Sequence, residues 1–102
     1  MNAKQEFLDF TKNKSVKCAL IQYGGMWLKE KRRDCTLKIG YTEKEMSDFL
    51  DSLDFNYDAG YGGQELFGEI WFKDGTWGER GEYDGSEWWR YNSCPEIPDI
   101  LN

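Results

Sequence analysis

Two Asp-Gly pairs, Asp74-Gly75 and Asp84-Gly85, stand ten residues apart in the segment ELFGEIWFKDGTWGERGEYDGSEWWRYN (65–92). Asp-Gly supplies the positive backbone φ angles that tight hairpins require, and the flanking residues are rich in strand-forming aromatics. The segment therefore reads as three antiparallel strands turning at the two pairs, a Trp-rich β-meander. Two-residue turns at both positions set a definite register. Phe72 faces Trp77, Ile70 faces Glu79, Glu69 faces Arg80 and Gly68 faces Gly81. Across the second turn Glu79 faces Arg90, Arg80 faces Trp89 and Gly81 faces Trp88. A three-residue loop with Gly75 in a bulge would instead oppose Glu69 to Glu79, a repulsion of a few tenths of a kcal/mol (about 0.2–1). The two-residue turn is preferred on that ground.

In the preferred register one face gathers Leu66, Gly68, Ile70 and Phe72 with Trp77, Gly81, Tyr83 and Trp88. The other gathers Phe67, Glu69 and Trp71 with Gly78, Arg80, Trp89 and Tyr91. Both carry aromatics, and only one can pack against helices. The second is either covered by the N-terminal strands or the tail, or left open as an aromatic patch of Trp71, Trp89 and Tyr91.

Upstream, AKQEFLDFTK (3–12) places Ala3, Phe7, Leu8 and Phe10 on one helical stripe, with Asn2 as N-cap and Gln5 three residues later. SVKCALIQY (15–23) reads as a buried strand, broken by Gly24-Gly25; MWLKEKRRD resumes as strand and enters a charged turn. CTLKIGY (35–41) alternates as a half-buried strand. Thr42-Glu43-Lys44-Glu45 is a capping box, with Tyr41 and Met46 at the staple positions and Met46, Phe49, Leu50 and Leu53 along one helix face. The expected fold is a single α+β domain, residues 1–102, with two helices packed on an antiparallel sheet.

Charge is distributed unevenly. Residues 1–53 hold ten Lys/Arg against eight Asp/Glu, whereas residues 54–102 hold three against eleven, a net −8 in a chain of net −6. The acidic half also contains 11 of the 17 aromatic residues. Acidic and aromatic together match interface hot spots better than a merely solvated face.

Reaction chemistry finds little footing. There is no histidine, which removes Ser-His-Asp and Cys-His catalysis and most zinc sites. Cys18, Cys35 and Cys94 form no CxxC pair and read as reduced, buried thiols of a cytoplasmic protein. Gly60-Tyr61-Gly62-Gly63 lacks the lysine and helix of a phosphate cradle. Asp54, Asn56, Asp58 and Glu65 fall at positions 1, 3, 5 and 12 of a calcium-loop pattern. Ala59 stands where that loop needs glycine, so a strand followed by a loop is the better reading. Neither an enzymatic activity, a cofactor, a metal, a small-molecule substrate nor a membrane span is expected. The basic run Lys29, Lys31, Arg32 and Arg33 offers an alternative, direct nucleic-acid binding.

The stretch YGGQELFGEIWFKDGTWGERGEYDGSEWWRYNSCPEIP (61–98) resembles a block of small uncharacterised phage- and prophage-encoded proteins. The resemblance implies a protein made in the bacterial cytoplasm during infection or lysogeny. Such proteins often inhibit host defence systems, including CRISPR effectors and restriction enzymes. The function that follows is a non-enzymatic inhibitor of a host protein or protein–nucleic-acid complex. Its expected contacts are Glu69, Trp71, Glu79, Glu82, Asp84, Glu87, Trp89 and Tyr91, the carboxylates standing in for phosphates. An exposed sheet edge leaves pairing with a second copy open.

Overall fold

The computed structural model describes residues 2–24, 33–57, 65–83, 86–92, 97 and 99–101. The elements run α1 (Ala3–Thr11), β1 (Val16–Tyr23), β2 (Arg33–Leu37), α2 (Glu43–Ser52), β3 (Leu66–Phe72), β4 (Trp77–Tyr83) and β5 (Ser86–Asn92), with a 3-10 turn at Asp99–Leu101. The strands form one antiparallel sheet in the order β2-β1-β3-β4-β5. The architecture is α+β, as expected. Among the described residues no helix is long and apolar enough to cross a membrane.

Both helices start where their caps dictate. The Gln5 N–H donates to Asn2 Oδ1 at 2.9 Å, satisfying an otherwise orphaned donor of α1. At α2 the Glu45 N–H donates to Thr42 Oγ1 and the Thr42 N–H to Glu45 Oε1, each at 3.1 Å, the reciprocal capping box. The Asn2 amide also donates to Asp54 Oδ1 and Asn56 Oδ1, both at 3.2 Å, so the chain leaving α2 ties down the start of α1. Two of the calcium-pattern oxygens are thereby engaged, and Asp58 lies outside the described residues.

The two helices share one face of the sheet. Ala3 and Phe7 of α1 and Phe49 and Leu53 of α2 pack with Ala19, Ile21, Cys35, Leu37, Leu66, Ile70, Phe72 and Trp89. Phe7 meets Phe49 edge-on, ring centroids 5.4 Å apart. Leu8, expected on the buried stripe, is half-exposed, and Thr11 takes the buried position instead, its hydroxyl bonded to the Phe7 carbonyl. The strand expected over 35–41 ends at Leu37; Ile39 and Gly40 form a turn, with Gly40 at φ +80°. On the opposite face, Cys18 and Trp71 are buried with Leu20, Trp77 and Ile97 packed against them.

The first hairpin departs from the expected register by one residue. Glu69 pairs with Glu79, Ile70 with Gly78 and Trp71 with Trp77. Local turn chemistry favours this slip. Asp74 Oδ1 accepts from the Thr76 N–H at 2.9 Å and the Thr76 hydroxyl at 2.5 Å, while Gly75 takes φ +89°. Lys14 adds an ion pair to Asp74 at 3.1 Å. Distant packing agrees, because Phe10 lies so close over Gly78 that a Cβ there would meet its ring at 2.6 Å. The Glu69–Glu79 repulsion is softened, since Glu79 Oε1 accepts from Arg90 Nε at 2.8 Å and Asn92 Nδ2 at 2.6 Å.

The β4–β5 register is the expected one: Glu79 with Arg90, Arg80 with Trp89, Gly81 with Trp88. Since only the first hairpin slips, the halves of the two expected faces exchange. Gly78, Arg80, Trp89 and Tyr91 join Leu66, Ile70 and Phe72 beneath the helices; Trp77, Glu79, Gly81 and Trp88 join Phe67, Glu69 and Trp71 on the outer face.

Two tests follow. A Cβ at Gly68 (φ +153°) would meet the Leu20 carbonyl oxygen at 2.5 Å and Ile21 Cα at 2.9 Å, whereas one at Gly75 meets nothing within 4 Å. Gly68→Ala is expected to cost about 3 kcal/mol or more, and Gly75→Ala only about 1–2 kcal/mol, read by urea denaturation; equal costs would contradict the close approach of β1 to Gly68 on β3. Thr76's hydroxyl first, then its amide and Lys14, pull the Asp74 pKa down to about 2. A folded-state pKa below the ordinary value of about 4 means the stabilisation is complete above pH 4 and fades as pH falls toward 2. Asp74→Asn is expected to flatten stability against pH in that window.

Candidate functional site

Arg80, beneath the helices, organises the inner face. The Arg80 side chain is almost wholly buried. Its Nη2 donates to Glu87 Oε1 at 2.7 Å and to the Tyr57 hydroxyl at 3.0 Å, and its Nε donates to the Leu66 carbonyl at 3.3 Å. Its Nη1 lies 3.1 Å from Glu6 Oε2, an ion pair off the hydrogen-bond axis. The guanidinium also covers the Trp89 ring, 4.9 Å from its centroid. Glu87 is filled from the other side by the backbone N–H groups of Glu65 (2.9 Å) and Leu66 (3.0 Å).

Tyr57 completes the cluster by donating its hydroxyl to Glu6 Oε1. Burial, then that bond to Glu6, push its phenol well above the usual range against the opposing pull of Arg80, so it remains a protonated donor. Burial pulls the Arg80 pKa down, but the charge of Glu6 and its other partners outweigh that effect and the net direction is up. The network meets its charges within the protein, with the side chains of Arg80 and Glu87 almost wholly buried.

Three expected contacts are corrected on this evidence of burial. Glu87 is an internal ligand of Arg80, its side chain 0% exposed. Trp89 is 8% exposed, stacked on Phe10 at 5.9 Å and on Arg80. Trp71 is 1% exposed, packed with Cys18, Leu20, Trp77 and Ile97. Tyr91 is exposed but belongs to the helix side. It stacks on Phe10 at 4.4 Å, donates to the Phe10 carbonyl at 2.9 Å and lies under Lys14. Glu82 is exposed on that same side, opposite Glu87. Asp84 lies outside the described residues, as do Lys29, Lys31 and Arg32; Arg33 is exposed on β2 with its guanidinium 5.3 Å from the Phe55 ring centroid.

Glu69 and Glu79 remain, side by side on the outer face. Around them are aromatics that the sequence reading assigned to other faces or passed over. Phe67 is partly exposed, Trp88 is 39% exposed over Gly81, Tyr83 is 77% exposed, and Trp77 is half-buried. An open hollow of about 370 Å³ is lined by Leu20, Gln22, Phe67, Gly68, Glu69, Trp77, Glu79 and Arg80, the Arg80 side chain being almost wholly buried against Glu87. The two carboxylates differ. Glu79 is held by Arg90 and Asn92, while among the described residues the Glu69 side chain has neither a hydrogen bond nor an ion pair. The signal that would have found this face is strand parity: once Arg80 and Trp89 point inward, Gly81 and Trp88 must point outward.

The two described thiols, Cys18 and Cys35, are not placed for nucleophilic chemistry. Cys18 and Cys35 are buried, and burial raises the Cys35 pKa although its thiol contacts the Ser52 carbonyl at 3.6 Å. Among the described residues no group of three His, Cys, Asp or Glu side chains is placed to hold a metal ion.

No protein-family model matches the chain, and no curated protein or solved structure is similar enough to be matched with it. The opposite placements of two neighbouring tryptophans can be measured directly. Trp89→Ala is expected to cost about 3–5 kcal/mol, and Trp88→Ala about 1 kcal/mol or less, by denaturant titration; the reverse order would exchange the two faces.

Proposed function

We propose that the chain is a non-enzymatic binding protein of the phage-inhibitor kind. Its outer sheet face docks on a basic surface of a host nucleic-acid-handling complex. The observation that carries this reading is the outer-face set of Phe67, Trp77, Tyr83 and Trp88 beside Glu69 and Glu79. Exposed aromatics in a connected patch are costly to leave in water and are the residues that supply most of the affinity in protein interfaces. Carboxylates around them steer toward arginine and lysine and give specificity. A groove built for nucleic acid offers such a surface, with cations for phosphates and apolar ledges for bases. The same charges work against binding nucleic acid directly on this face, where Arg90 is already paired with Glu79.

The test is a competition. The immobilised protein is expected to retain a nucleic-acid-handling complex from a bacterial host, and added DNA or RNA should displace it. Replacing Phe67 and Trp88 together by alanine is expected to weaken retention at least about a hundredfold, the loss of two hot-spot residues at ~2 kcal/mol each, without unfolding the protein. Equal retention by the double variant would overturn the reading. A low-salt gel shift of the isolated protein, abolished by charge reversal at Lys29, Lys31, Arg32 and Arg33, would replace it with direct nucleic-acid binding.

A further inference from the structure

We infer that the outer-face hollow is an arginine-binding subsite, in which Glu69 receives a guanidinium from the partner between the rings of Phe67 and Trp77. The inference rests on the reading of the outer face as the docking surface and names the chemistry of its anchor.

Among the described residues the Glu69 carboxylate has no hydrogen-bond or ion-pair partner; the residue is half-buried and directly across the strand pair from a second carboxylate, Glu79. That arrangement destabilises the free protein, since like charges opposite one another in a sheet repel. Glu79 is relieved by Arg90 and Asn92; Glu69 is not. A cation arriving from outside would provide the missing charge. The hollow, at about 370 Å³, falls at the small end of ligand-site volumes (about 300–1,000 Å³).

Its lining discriminates between cations. Phe67 and Trp77 offer ring surface at the walls, Leu20 contributes an apolar surface, and Gln22 supplies an amide oxygen. Arginine uses all of these, because its planar fork bonds a carboxylate in bidentate fashion while its faces stack on aromatic rings. Lysine, a compact and strongly hydrated charge, uses only the carboxylate. A metal ion fits less well, since one of the two carboxylates is already engaged and aromatic rings offer no ligand atoms.

The probe is a capped Gly-Arg repeat peptide, titrated into the intact protein and followed by ¹⁵N NMR. Matched peptides carry citrulline or lysine in place of arginine. The arginine peptide is expected to shift the backbone amides of Phe67 and Glu69 and the indole N–H of Trp77. Its affinity should exceed that of the citrulline peptide at least about tenfold, as for a charge-assisted bond in a partly desolvated site. Glu69→Gln should lose that tenfold while leaving the melting temperature unchanged or higher, because the variant no longer opposes one carboxylate to another. A merely structural glutamate would show the opposite pattern.

Equal binding of the citrulline peptide to the wild-type protein would overturn the inference, and so would wild-type affinity in Glu69→Gln. A lysine peptide that binds as tightly as the arginine peptide would overturn the assignment to arginine. If the partner complex is lost on replacing Phe67 and Trp88 but retained by Glu69→Gln, the docking face stands and the arginine subsite falls.

Discussion

Arg80 holds its positive charge inside the protein, and the rest of the structure is arranged to permit it. A buried guanidinium carries a desolvation penalty of several kcal/mol unless its donors and charge are met. Here the charge is met by Glu87 on β5, Glu6 on α1, Tyr57 beyond α2, the Leu66 carbonyl at the start of β3 and the Trp89 ring, with Nε and Nη2 hydrogen-bonded and Nη1 held by the Glu6 ion pair alone. The partners come from four stretches of chain: α1, the segment after α2, β3 and β5. The ion cluster therefore fixes how α1 lies on the sheet and where the segment after α2 passes. Removing one member would leave the others charged and buried, which is why such clusters define a unique arrangement even where they add little net stability.

The inward arginine also decides which side of the sheet is free. Strand parity places Gly78 and Trp89 beneath the helices with Arg80, and Gly81 and Trp88 on the other side. The acidity of the C-terminal half divides accordingly. Glu87 is used internally to neutralise Arg80; Glu69 and Glu79 face outward among Phe67, Trp77 and Trp88. The C-terminal segment, through Ile97, covers the Cys18–Trp71 end of that outer face. Among the described residues of that face, Phe67, Tyr83 and Trp88 are exposed.

Much of this was legible in the sequence because it is written locally. The Asn2 cap, the Thr42–Glu45 capping box, the strand before Gly24 and the Asp84-Gly85 register each depend on residues within a few positions of one another. The register of the first hairpin was not legible from cross-strand charges. A Glu–Glu contact costs only a few tenths of a kcal/mol to about 1 kcal/mol. Against it stood the Asp74–Thr76 turn, which is local and could have been weighed. The seating of Phe10 on Gly78 could not, since those residues are far apart in sequence. One misplaced residue inverted two strands relative to the third. The candidate site suffered in proportion. Glu69 and Glu79, named from composition and charge, lie on the outer face, whereas Trp89, Glu87 and Trp71, named for an exposed surface, are buried. Arg80 is placed opposite Trp89 by the sequence, as it is in the sheet, but nothing local marks it as the centre of a buried charge cluster.

The central claim is that Arg80 and Trp89 face the helices while Trp88 faces solvent. Photochemically induced nuclear polarisation, which enhances only tryptophan rings that a dissolved dye can touch, reads this in a single spectrum of the unmodified protein. The account expects a strong indole signal from Trp88 and none from Trp71 or Trp89. A polarised Trp89 beside a silent Trp88 would contradict it.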